Sequence, residues 1–144
     1  MPTNSSDRVT GGNHEVEVLE AVRSQDVPRL SDKLRQQVVE IVARLYNDPE
    51  IGVALDPEDP KDPLPNCFKV KFDEDRWAEP GKPEPRGWRP DYRLVYRHEP
   101  NSDEIAIVAV AAIAHRRDRR PYELARQRLS TRDKAQAPPK RRRR

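Results

Sequence analysis

The constraint that rules out most folds is a single apolar stretch. Residues 105–114 (IAIVAVAAIA) form the longest such run in the 144-residue chain and lie between Glu104 and the charged run His115-Arg116-Arg117. The run is far shorter than the ~20 residues a membrane-spanning helix needs. It suits a strand. Successive strand residues point to opposite faces, so the unbroken apolar run over 105–114 predicts a central strand over 104–114, covered above and below. The chain must supply both layers from a composition only 34% hydrophobic and 37% charged. The core is therefore modest, and part of the chain is expected to be disordered.

Two upstream segments alternate instead. In 67–72 (CFKVKF), Phe68, Val70 and Phe72 face one way, and Lys69 and Lys71 the other. In 91–97 (DYRLVYR), Tyr92, Leu94 and Tyr96 share one face, and Arg93, Val95 and Arg97 share the other. Near the start, Val16 and Val18 alternate with Glu15 and Glu17, which predicts a strand over 15–19. A weak helix over about 20–27 follows, ended by Pro28, which cannot donate to a helix ladder. The clearest helix is 31–47. Ser31 caps it, Leu34, Val38, Ile41 and Leu45 recur at helical spacing, and Asp48-Pro49 stops it. Pro121 is acceptable in a first helical turn and opens a short helix over 121–129. The predicted class is α+β: a small antiparallel sheet packed against two N-terminal helices, with a short C-terminal helix.

Proline marks the connections. Eight of the 15 prolines lie between residues 57 and 90, in an acidic stretch 56–65 (DPEDPKDPLP) and in the segment 73–90. Both read as loops, and the second is long enough to suggest function or mobility. Trp77 and Trp88 lie within it, either to anchor the loop or to stack on bases. Residues 1–13 read as a disordered leader without the apolar core of a signal peptide. Residues 130–144 read as a disordered basic tail. That leaves one domain over 14–129 carrying an insertion at 73–90. The lone Cys67 can neither staple the chain nor build a thiolate zinc cluster, and a cytoplasmic location is the default.

Charge is unevenly spread. Residues 1–85 carry 11 Lys and Arg against 18 Asp and Glu, while 86–144 carry 17 against 7. A basic half points to a polyanion or an acidic partner. If the two alternating strands pair, Lys69, Lys71, Arg93 and Arg97 share one sheet face. Like charges facing each other destabilise a sheet, so a sequence that accepts them can use them to hold an anion. The competing reading is a solvated face with each cation near a carboxylate.

Three blocks in order, NCFKVKF (66–72), YRLVYR (92–97) and AIAHRRDRRPYELARQRL (112–129), with RLSDKLRQQVVEIVARLYNDPEIG (29–52) upstream, resemble the RelE/ParE superfamily of toxins from type II toxin–antitoxin systems. The likeness spans roughly residues 15–129. It implies a strand, two helices, a run of antiparallel strands and a C-terminal helix. In the RelE branch it also implies a ribosome-dependent mRNA endoribonuclease, working without metal or cofactor by attack of a ribose 2′-OH on the adjacent phosphate. By position, the catalytic set falls on Lys69, Lys71, Arg93, Arg116 and Tyr122, with Arg97, His115 and Arg117 as substrate contacts. A lysine crowded by cations gives up its proton more readily. Arginine forks hold phosphate oxygens, and a tyrosine can stack on a base or bond a sugar.

The likeness has departures. Asp91 and Ala114 stand where glycines are common, the 73–90 segment replaces a tight turn, and His115 adds a possible base. The implied partners are a cognate antitoxin and mRNA on the ribosome, with no membrane. Two other readings share the scaffold: a ParE-type toxin that poisons DNA gyrase without catalysis, and a degenerate, non-toxic nucleic-acid-binding domain.

Overall fold

The computed structural model describes residues 14–115 and 117–136. The leader 1–13, Arg116 and the end of the tail, 137–144, lie outside the described residues. Five strands, β1 (Glu15–Val18), β2 (Val53–Ala54), β3 (Cys67–Phe72), β4 (Tyr92–His98) and β5 (Glu104–Ala112), form one sheet in the order β1-β5-β4-β3-β2. Two α-helices, α1 (Asp32–Leu45) and α2 (Arg120–Gln136), accompany it.

β5 is the buried strand that its composition demands, with Ile105 through Ala111 all in the core. It sits between β1 and β4, so both its edges are also occupied. The sheet is mixed, not antiparallel. β3, β4 and β5 pair antiparallel, but β1 runs parallel to β5, with Val16 beside Ile105 and Val18 beside Ile107. The alternation of Val16 and Val18 fixes which faces are wet but says nothing about strand direction. Direction is set by the long return of the chain to that edge.

The expected helix over 20–27 is not a regular one. The chain winds as a π-turn over Val22–Asp26 and tightens into a 3₁₀ turn over Val27–Arg29, with Pro28 inside the turn rather than after it. Val27 N–H bonds back to the Val22 carbonyl, the wide spacing of a π-turn. Asp26 ends that turn buried, where both its oxygens take the Arg128 guanidinium at 2.7 and 2.9 Å and Oδ2 also accepts Val110 N–H at 2.8 Å. One carboxylate thus ties the irregular turn, β5 and α2 together.

α1 starts as read. Ser31 Oγ accepts Leu34 N–H at 3.2 Å, and Leu34, Ile41 and Leu45 are buried. After it, the Tyr96 hydroxyl donates to the Pro49 carbonyl at 2.7 Å and accepts Gly52 N–H at 2.9 Å. A Cβ at Gly52 would lie 2.9 Å from the Lys69 carbonyl, so only glycine lets this turn lie against β3. The turn delivers β2, whose two residues are too few for any periodic signal in the sequence.

α2 is longer than the expected 121–129 and takes in 130–136, which read as tail. Its polar second half has little apolar patterning. It is held by ion pairs, Arg132 to Glu17 at 2.6 Å and Asp133 to Arg97 at 3.1 Å. α1 and α2 lie on opposite faces of the sheet. Val38 and Val42 border Ile107 on one side, while Asp133 reaches Arg97 on the other.

Candidate functional site

Register places the cations. Lys71 pairs directly with Arg93, Lys69 with Val95, and Cys67 with Arg97, so the four basic side chains share the face that α2 covers in part. Three of them find partners. Lys71 Nζ lies 3.2 Å from Glu84. Arg93 donates to the carbonyls of Pro90 and Tyr92 at 2.9 and 3.0 Å. Arg97 grips Asp133 through both nitrogens at 3.1 Å.

Lys69 is the exception: among the described residues no carboxylate or carbonyl bonds it. Burial holds its ammonium below the usual lysine range, with Arg93 and Lys71 adding to the shift.

Tyr122 opens α2 beside this group. Burial pushes its hydroxyl up from the ordinary tyrosine value, while Arg93, within hydrogen-bonding reach, and Arg119 pull the other way. The Arg119 guanidinium sits 5.6 Å over the Tyr122 ring. Together Lys69, Tyr122 and Arg119 border a cleft of ≈ 170 Å³. Its far wall is the acidic 56–65 loop, whose Asp62 and Asp59 bond Arg119 at 2.8 and 3.1 Å. Arg126 adds a 2.9 Å contact to Asp62. The backbone N–H groups of Lys61 and Asp62, with Arg119 adding, hold the Asp59 carboxyl below the usual carboxylate range. That loop is therefore pinned, not free.

The fold thus brings Lys69, Lys71, Arg93 and Tyr122 together. Arg97 stands at the other end of the strand against α2. His115 and Arg117 are exposed in the turn before α2, where His115 Nδ1 accepts the Arg117 N–H at 3.1 Å. Arg116 lies outside the described residues. Cys67 is sealed under the same face, and burial pushes its thiol up to about 12, which removes it as a nucleophile.

Sequence reasoning missed Arg119, Asp59 and Asp62. Arg119 is one of four arginines between residues 116 and 120, and nothing in the run singles it out until the helix start is fixed. One cue was present: Asp118 accepts Ala114 N–H and Arg120 N–H, the role an Asp before a Pro-led helix plays. The next residue, Arg119, then falls beside the first turn.

The Lys69 ammonium with its lowered proton affinity and the Tyr122 phenol border one cleft with Arg93 beside them, a set that can hold a phosphodiester and exchange a proton with it. Among the described residues no helix is long and apolar enough to cross a membrane, and no group of three or more His, Cys, Asp or Glu side chains could hold a metal ion.

Residues 17–120 match the family described as ParE toxin of type II toxin–antitoxin system, parDE. Two solved structures resemble the fold. An arginine-to-alanine double variant of the E. coli toxin RelE in the free state superposes with a TM-score of 0.50 at 15% identity, covering 83% of this chain and 97% of that one. The same RelE variant in complex with a peptide of the antitoxin RelB gives 0.47 at 16%, covering 72% and 86%. No curated protein sequence matches the chain significantly.

Proposed function

The chain belongs to the ParE toxin family of type II toxin–antitoxin systems, within the RelE/ParE superfamily, and from that membership we propose that this toxin is a metal-independent, ribosome-dependent mRNA endoribonuclease of the cytoplasm. The observation that carries the reading is Lys69: a half-buried ammonium with lowered proton affinity, beside Arg93, without an anionic partner among the described residues, and bordering with Tyr122 a cleft of phosphate size. In this reaction the ribose 2′-oxygen loses its proton and bonds to phosphorus. The phosphorus–5′-oxygen bond breaks, the departing oxygen takes up a proton, and a 2′,3′-cyclic phosphate remains.

Lys69, whose ammonium gives up its proton more readily than an ordinary lysine, is the group suited to move it. Arg93 holds the non-bridging oxygens, where negative charge builds. Lys71 and Arg116 complete the cationic set, and Tyr122 orients the nucleotide. His115 and Arg117 are assigned to neighbouring contacts along the RNA, and Arg97 joins them only when its pair with Asp133 opens. The partner that silences such a toxin is a cognate antitoxin. An acidic segment that folds on binding suits the basic face.

A second reading, gyrase poisoning without catalysis, is favoured by the ParE description of the matching family. Inducing the chain alone separates the two. Growth arrest with cuts inside translated messages, mapped by primer extension and absent in Lys69→Ala and Arg93→Ala, supports the nuclease. Arrest with intact messages and gyrase-linked DNA breaks supports the poison. No arrest despite expression leaves a non-toxic binding domain.

A further inference from the structure

The 73–90 segment is held firmly at its ends and lightly at its tip. At the first end Trp77 is buried and pairs with Phe72, and Ala78 N–H bonds the Lys71 carbonyl at 2.9 Å. Arg44 of α1 sits over the Trp77 ring and reaches Glu79 at 3.6 Å. At the other end Trp88 Nε1 donates to Asp73 at 2.6 Å and Pro90 is buried.

Residues 80–87 between them are all exposed. Gly81 and Gly87 bracket this tip with φ of +82° and +77°, and a Cβ at either would meet nothing within 4 Å. These glycines serve the turn of the backbone, not close packing. Lys82 in the tip bonds Glu79 at the anchored end through Nζ and through its N–H, both at 3.2 Å, and one polar contact reaches the sheet among the described residues: Lys71 Nζ to Glu84 Oε1, at 3.2 Å.

We infer that residues 80–87 form a strap that masks the Lys71 end of the cationic sheet face, with the Glu84 carboxylate standing on Lys71 where a phosphate of single-stranded RNA stands when bound. The inference rests on the proposed role of Lys71 in holding RNA. Lys71 faces Arg93 across the strand pair, a like-charge contact that costs stability when nothing anionic is near. Glu84 supplies that anion from within the chain. The strap does not need this contact to stay attached, because both tryptophans already anchor it. The pair is also partly exposed on both sides, 30% at Lys71 and 46% at Glu84. Exposed pairs hold weakly, so a phosphate that also meets Arg93 can displace Glu84.

The test is fluorescence anisotropy of the full chain with a labelled 2′-O-methyl RNA decamer, which binds but cannot be cut through its 2′-oxygen. The expected result is that Glu84→Gln binds about two- to fivefold tighter than wild type, in line with the worth of an exposed ion pair. Lys71→Met should bind more weakly, and adding Glu84→Gln to it should bring no gain. Glu40→Gln on the opposite face of the sheet removes the same charge and should change nothing. If Glu84→Gln equals wild type while Lys71→Met still weakens binding, the mask is overturned and the RNA site stands. If Glu40→Gln tightens binding as much as Glu84→Gln, the effect is net charge and the mask is overturned. If no variant binds the decamer, Lys71 is no RNA contact in the free protein and the mask is overturned, while message cutting on the ribosome decides the nuclease separately.

Discussion

The Asp26–Arg128 pair and the Lys71–Glu84 pair share a chemistry and differ in surroundings. Asp26 and Arg128 are 7% and 11% exposed, and the carboxylate also serves a backbone N–H of β5. Water cannot replace either partner, so each exists to satisfy the other. Lys71 and Glu84 are each partly open to water, so either can leave without stranding the other. The same ion pair is therefore a fixture of the fold behind α2 and a reversible contact in front of it. Burial, more than distance, decides which charges this protein can lend to a ligand. Lys69 is intermediate: half-buried, with no carboxylate bonded to it among the described residues.

The comparison can be broken at several points. Arg128→Ala should cost the most, about 3–5 kcal/mol in urea unfolding, because it leaves the Asp26 carboxylate buried and unpaired. A cost under 1 kcal/mol would mean that water reaches Asp26. Tyr96→Phe should follow at about 1–3 kcal/mol, since the Gly52 N–H and the Pro49 carbonyl both lose the hydroxyl they share. An unchanged denaturation midpoint would place that turn outside the cooperative unit.

Lys69→Met sharpens the contrast by separating function from stability. Message cutting should be lost while stability at neutral pH holds or rises. The sign follows from the lowered proton affinity of Lys69. Between its folded value and the usual lysine value the unfolded chain binds more protons, so wild-type stability rises with pH across that window. The variant should lack that rise in urea melts from pH 8 to 11. Glu84→Gln should have the smallest effect on folding, under about 1 kcal/mol, despite its effect on RNA binding. A larger loss would make the strap contact structural.

How much of this was legible follows from range. β5, the alternating strands and the Ser31 cap are local patterns, and they appear where the sequence put them. The shared face of Lys69, Lys71 and Arg93 needs only strand pairing, which alternation made visible. The direction of β1, the wide turn at Asp26 and the second half of α2 depend on partners far along the chain: Arg128 for Asp26, Glu17 for Arg132, Arg97 for Asp133. No window of sequence contains those pairs. The same holds at the site. Arg97 looked equivalent to Arg93 in the strand pattern, yet Asp133, 36 residues away, claims it. The proline-rich loops were recognised as loops, but nothing local shows that carboxylates from both lean onto the cationic face.

Cys67 gives the experimenter a clean background. It is the only thiol in the chain, and it lies sealed in the core with its proton held to about pH 12. Maleimide reagents at neutral pH should pass it by, so a cysteine introduced at Pro83 would take up a dye site-selectively. Its emission would then report, in real time, whether the strap lifts when nucleic acid arrives.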